Sequence, residues 1–151
     1  MTKILKAEPG LTAPIPIDAI ARQLDIVDIQ DLKADGFVGG LITDVSRSEG
    51  FILVKRGLME ERRRFTLGHE LGHFLMVHHN PTDGRFLCTA ADMNRRTSRR
   101  EQLPPAQRWE VEANEFASLL LMPPPMWRKE MDAYRHPDLG QIVALERNPF
   151  R

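Results

Sequence analysis

The sequence predicts an α+β fold, with a small sheet in the first third of the chain and helices carrying the rest. Three observations carry that prediction. Short β-rich runs lie between residues 26 and 54: Ile26-Val27-Asp28-Ile29, Phe37-Val38-Gly39-Gly40-Leu41-Ile42 and Phe51-Ile52-Leu53-Val54. From Arg62 to Val77, Phe65, Leu67, Leu71, Phe74, Leu75 and Val77 supply the apolar surface of a helix. A second helical stretch, Trp109 to Met122, is stopped by Pro123-Pro124-Pro125.

Taken in order, Ile17, Ile20, Ala21 and Leu24 recur at helical spacing after Pro16, which is tolerated near a first turn. That gives an N-terminal helix. Residues 44–50 are polar and end in Gly50, so they read as the turn of a hairpin between the second and third β-rich runs. The expected sheet has about three strands and is mostly antiparallel. Residues 80–108 are polar, rich in Arg and Pro, and read as a long loop. A shorter helix is expected from Met126 to Tyr134, followed by a C-terminal helical segment from about residue 135. No internal repeat is visible.

Composition bounds the class. At 151 residues the chain suggests a single domain spanning residues 1–151, large enough to bury a core. Lys and Arg number 21, as do Asp and Glu, so whole-chain charge gives no reason to expect nucleic acid or a membrane as partner. Cys88 is the only cysteine, which excludes an intrachain disulfide and fits a reducing compartment. Residues 1–10 lack the apolar run of a signal peptide, and no stretch approaches transmembrane length. The expected location is the cytoplasm.

The chemistry concentrates in His69-Glu70-Leu71-Gly72-His73, an HExxH pattern. On a helix, the two histidines lie on one face one turn apart and can grip a single metal ion. Glu70 then has the position from which a carboxylate acts as general base on a water at that metal. A chance occurrence would leave two imidazoles and a carboxylate on an apolar helix without partners, which is costly. Gly72 lowers helix propensity by about 1 kcal/mol relative to Ala. Close packing against another element or a ligand would explain its presence.

A catalytic zinc needs a third protein ligand. His79 stands where the longer HExxHxxGxxH pattern places one, but that pattern turns the chain at a glycine and here the residue is Met76. If the helix continues, His79 points away from the His69/His73 face. The second helix offers Glu110, Glu112 and Glu115 beside an apolar stripe of Trp109, Ala113, Phe116, Ala117 and Leu120. Glu115 falls opposite the stripe. Glu110 shares its edge with the small Ala113 and Ala117 and has Asn114 one turn on, able to orient a ligand from behind. Periodicity therefore favours Glu110 over Glu112.

The run Arg64-Phe65-Thr66-Leu67-Gly68-His69-Glu70-Leu71-Gly72-His73, followed by Glu110-Val111-Glu112-Ala113-Asn114-Glu115-Phe116-Ala117 and Leu120-Leu121-Met122-Pro123, resembles the ImmA/IrrE family of bacterial metallopeptidases. The resemblance covers roughly residues 15–125. It implies a small zincin-like domain with a gluzincin-like site: His69, His73 and Glu110 as metal ligands, Glu70 as catalytic base and Asn114 in support. It implies Zn²⁺, or another divalent metal, as cofactor. The activity it implies is a zinc-dependent endopeptidase that cleaves a helix-turn-helix repressor and relieves repression. The alternative is a non-catalytic regulatory module that binds metal or a repressor, against which the intact Glu70 argues. Two departures from the family pattern are Gly68, where Ala or a similar residue is usual, and residues 137–145, which resemble the start of a C-terminal helical segment that normally runs further than Arg151.

Other features have plainer readings. Arg95-Arg96-Thr97-Ser98-Arg99-Arg100 lacks interleaved aromatics and reads as a solvated loop, so no direct nucleic-acid contact is expected. Cys88 is read as a buried or idle thiol, in preference to an inhibitory metal ligand or a nucleophile. His78, Tyr134, His136 and the arginines are candidates to stabilise an oxyanion, without a choice among them.

Overall fold

The computed structural model describes residues 14–122. The short helix expected at 126–134 and the segment at 137–145 lie outside the described residues. In chain order the elements are α1 (Ile17–Gln23), β1 (Ile26–Leu32), β2 (Gly39–Thr43), β3 (Gly50–Lys55), α2 (Glu60–Leu75), β4 (Arg85–Cys88), α3 (Ala90–Met93), a 3₁₀ turn (Arg100–Gln102) and α4 (Pro105–Leu121). The class is α+β, as the sequence predicts.

The sheet is mixed and has four strands in the order β1-β3-β2-β4. The hairpin of β2 and β3 is antiparallel, and its connection occupies the stretch between Thr43 and Gly50 that the sequence marks as a turn. Two features differ from the expected three-stranded, mostly antiparallel sheet. β1 pairs with β3 in parallel. A fourth strand, β4, comes out of the segment expected to be loop and pairs antiparallel with β2. Its Arg85-Phe86-Leu87-Cys88 alternates outward and inward, with Phe86 and Cys88 buried, but four residues are too few to stand out among arginines and prolines. Gly84 makes the pairing possible, since a Cβ there would lie 2.6 Å from the Thr43 carbonyl oxygen. Among the described residues, β1 and β4 are the edge strands and neither hairpin strand is.

One face of the sheet is covered by α2, and α4 packs on α2. Leu41, Ile52 and Val54 from the sheet meet Leu67, Leu71 and Phe74 from α2, with Phe116 and Leu120 from α4. Burying each large aliphatic side chain contributes about 1.5–3 kcal/mol. The basic start of α2 ties the N-terminal elements down: Arg63 grips the Asp18 carboxylate at 3.2 Å through two nitrogens, and Arg64 donates to the Ile15 carbonyl at 2.6 Å.

Both helices begin earlier than their periodicity suggests. α2 opens at Glu60, with Glu60 and Glu61 favourably placed at the positive end of the helix dipole. α4 opens at Pro105, because a proline at the first helical position forfeits no hydrogen bond. α2 also ends earlier, at Leu75. Its last carbonyls are taken by an arginine from the β2–β3 turn: Arg47 donates to the His73 carbonyl at 2.6 Å and also to that of His79. This holds Met76 extended and returns the chain, with no glycine, through a turn closed by His79 N–H on the Met76 carbonyl.

The helices touch closely at the glycines of the motif. A Cβ on Gly72 would stand 3.0 Å from the Phe116 ring, and one on Gly68 would stand 3.2 Å from the Ala117 Cβ. Gly68 and Gly72 are therefore contact points between α2 and α4, which brings Glu110 within reach of the histidines.

Candidate metal centre

His69, Glu70 and His73 all lie on α2 and are fully buried. The two imidazoles turn their Nε2 atoms toward each other, 3.0 Å apart. From α4, Glu110 brings Oε2 to 2.9 Å from His69 Nε2 and 3.4 Å from His73 Nε2. From β4, Cys88 brings Sγ to 3.7 Å from His73 Nε2. These four side chains form a group that could hold a metal ion, their ligand atoms all within 4.8 Å of one another.

The hydrogen bonds behind the histidines decide which nitrogens carry protons. Asn114 donates through Nδ2 to the backbone carbonyls of Asp92 and Arg95, both at 2.8 Å, so its Oδ1 must face His69. His69 Nδ1–H donates to that oxygen at 2.7 Å, leaving the Nε2 lone pair for a cation. Behind His73, the chain is longer. The Glu112 carboxylate accepts from His79 Nε2–H at 2.6 Å, so neutral His79 must accept at Nδ1. His73 Nδ1–H donates there at 2.9 Å, which frees the Nε2 lone pair of His73 as well. Two lone pairs and a carboxylate oxygen therefore converge on one point, an arrangement that calls for positive charge at its centre.

The titration behaviour agrees. Burial opposes charge on His69, but the hydrogen bond it donates to Glu110 and the charges of Glu70 and Glu110 outweigh it and raise its pKa. Burial pushes His73 down to about 4. Burial works against ionised Glu110, yet its hydrogen bonds with His69 and His73 hold it well below the usual carboxylate range.

Glu70 differs from the rest. Burial pushes its pKa up to about 8, and neither carboxylate oxygen has a hydrogen-bond partner among the described residues. The fold makes room for it at Gly39 on β2, where a Cβ would stand 2.7 Å from Glu70 Oε1.

The structure thus brings together all five residues singled out from sequence: His69, Glu70, His73, Glu110 and Asn114. Several neighbours take places that sequence reasoning did not give them. His79 does return to the site, contrary to the expectation for a continuing helix, but it stands behind His73 and stacks near Trp109 at 5.6 Å. Glu112 holds His79 and also His78, each at 2.6 Å. Cys88 is buried, as expected, but it is not remote from the cluster. The inward alternation of Phe86 and Cys88 was the available signal. Nothing local in the sequence points to Arg47. Tyr134 and His136 lie outside the described residues, and Arg100 of the basic cluster pairs with Glu115 at 2.8 Å.

A family model, Peptidase_M78, described as the IrrE N-terminal-like domain, matches residues 26–141 of the chain. A search of curated proteins returned no match.

Proposed function

The chain belongs to the Peptidase_M78 family of IrrE N-terminal-like domains, and on that premise we propose that it is a zinc-dependent endopeptidase that cleaves a helix-turn-helix transcriptional repressor in the cytoplasm. One observation carries the catalytic reading: Glu70, an acid with no hydrogen-bond partner among the described residues, is buried next to the ligand His69. A site that only held metal would have no use for it.

His69, His73 and Glu110 are the ligands in this reading, and Asn114 fixes the tautomer of His69. Zinc bound there supplies Lewis acidity toward a carbonyl oxygen and acidifies a water. Glu70 takes a proton from the attacking water and returns it to the departing amine. The edge strand β4 borders the cluster through Cys88, and an extended stretch of repressor adds alongside that edge by main-chain hydrogen bonds. Among the described residues, no helix is long and apolar enough to cross a membrane.

The test uses zinc-loaded full chain and a purified helix-turn-helix repressor encoded next to it, with fragments read by mass spectrometry. Wild type yields defined fragments that disappear with chelator. Glu70→Gln retains zinc and yields none. Cleavage undiminished in that variant sinks the role given to Glu70, and repressor binding without fragments favours a regulatory module.

A further inference from the structure

We propose that Cys88 is a fourth protein ligand of this metal centre, its thiolate closing the set formed by His69, His73 and Glu110 and excluding water while it is bound. The proposal rests on the metal-centre reading and concerns the state of that site.

One ligand atom each from His69, His73, Glu110 and Cys88 lies within 4.8 Å of the others, close enough to share one ion. Metal bonds of roughly 2.0–2.1 Å to nitrogen or oxygen and 2.3 Å to sulfur require ligand-to-ligand edges of roughly 3.3–3.6 Å. The His69–His73 edge is 3.0 Å and the His73–Glu110 edge is 3.4 Å. Cys88 Sγ stands 3.7 Å from His73 Nε2 and 4.0 Å from Glu110 Oε1. β4 fixes it there, because Cys88 is paired with Gly39 of β2, the residue whose missing side chain makes room for Glu70.

The surroundings do not suit an idle thiol. Cys88 is buried and turns its Sγ toward the ligand atoms of His73 and Glu110 rather than into the apolar core. Among the described residues neither Glu70 oxygen has a hydrogen-bond partner, and Gly39, which makes room for that carboxylate, is the residue paired with Cys88. On ligation the S–H bond breaks, its proton is released to solvent, and the sulfur lone pair so freed forms the bond to the metal in place of water. A metal with four protein ligands has the closed coordination of a structural site, whereas hydrolysis requires an open position. Cys88 therefore competes with water for the place where Glu70 would act.

X-ray absorption of the zinc-loaded full chain reads the ligands directly. Wild type is expected to show a sulfur shell at about 2.3 Å, lost in Cys88→Ala and replaced by oxygen in Cys88→Ser. The cobalt(II) form is expected to show thiolate-to-metal absorption in wild type alone. Acetohydroxamate, which needs open positions, is expected to shift the cobalt spectrum of Cys88→Ala at lower concentration than that of wild type. Stoichiometric metal in both variants shows that they are folded. Metal bound by wild type without a sulfur shell overturns the proposal and leaves the His69–His73–Glu110 centre standing. Failure of wild type to bind zinc or cobalt overturns the centre itself, and the proposal with it.

Discussion

Two clusters of the same residue types stand about one side chain apart in this protein, and only one is arranged for a metal. Each offers two imidazoles and a carboxylate: His69, His73 and Glu110 in the first, His78, His79 and Glu112 in the second. In the second cluster both Nε2–H groups donate to the same Glu112 oxygen at 2.6 Å, so protons satisfy the site. His78 is 60% exposed, and water screens what charge remains. In the first, the protons are drawn to the far nitrogens by Asn114 and His79, and the lone pairs face inward in a buried space. Residue type does not make a metal centre; the hydrogen bonds behind the ligands do. The second cluster even serves the first, because Glu112 orients His79 and His79 orients His73.

The sharpest way to break the comparison is to count metal. His73→Ala is expected to abolish stoichiometric zinc after gel filtration, whereas His78→Ala retains it, as read by elemental analysis. If His78→Ala loses the zinc, the second cluster is the metal site and the assignment is reversed. Removing an orienting group comes next. Asn114→Ala is expected to weaken zinc binding by about 10–100-fold, measured by competition with a chromophoric chelator. Glu112→Ala, acting through two imidazoles in series, is expected near the lower end of that range. An equal loss in His78→Ala would show that the effect does not run through His79.

Packing gives a further contrast. Gly39→Ala places a Cβ 2.5 Å from Thr66 Cγ2 and 2.7 Å from Glu70 Oε1. It is expected to cost about 1–3 kcal/mol in chemical denaturation and to displace the proposed base. Gly68→Ala meets the Ala117 Cβ at 3.2 Å, a contact that yields by small shifts, and its cost is expected near the bottom of that range or below it.

The smallest effect is on the metal-free fold. Burial raises Glu70 from 4.5 to about 8, so the unfolded chain releases that proton first as pH climbs. The stability Glu70 contributes is complete below about pH 4.5 and is lost as pH rises through about 8. Glu70→Gln does not titrate. Its melting temperature, relative to metal-free wild type, is expected to rise across that window; a constant difference would mean that Glu70 is solvated.

Much of this was legible from the chain. The helix bearing His69, Glu70 and His73 followed from 3.6-residue spacing, and Glu110 could be preferred to Glu112 because Ala113 and Ala117 mark the edge where two helices approach. Both are local properties, since periodicity along one helix fixes which side chains share a face. The class was legible for the same reason: alternation and helical spacing are written in contiguous residues.

What the tertiary structure alone decided lies between elements distant in sequence. β4 could not be read because its four residues become a strand only when β2 offers an edge, and Cys88 joins the cluster only through that pairing. His79 returned because Arg47, 32 residues earlier, capped the end of α2 where no glycine does. The proton positions on His69 and His73 depend on Asn114, His79 and Glu112 meeting across the α2–α4 contact. The sequence by itself determined which residue types face one another along each helix. Packing between elements determined which atoms meet, and so whether two imidazoles and a carboxylate present lone pairs to a cation or protons to each other.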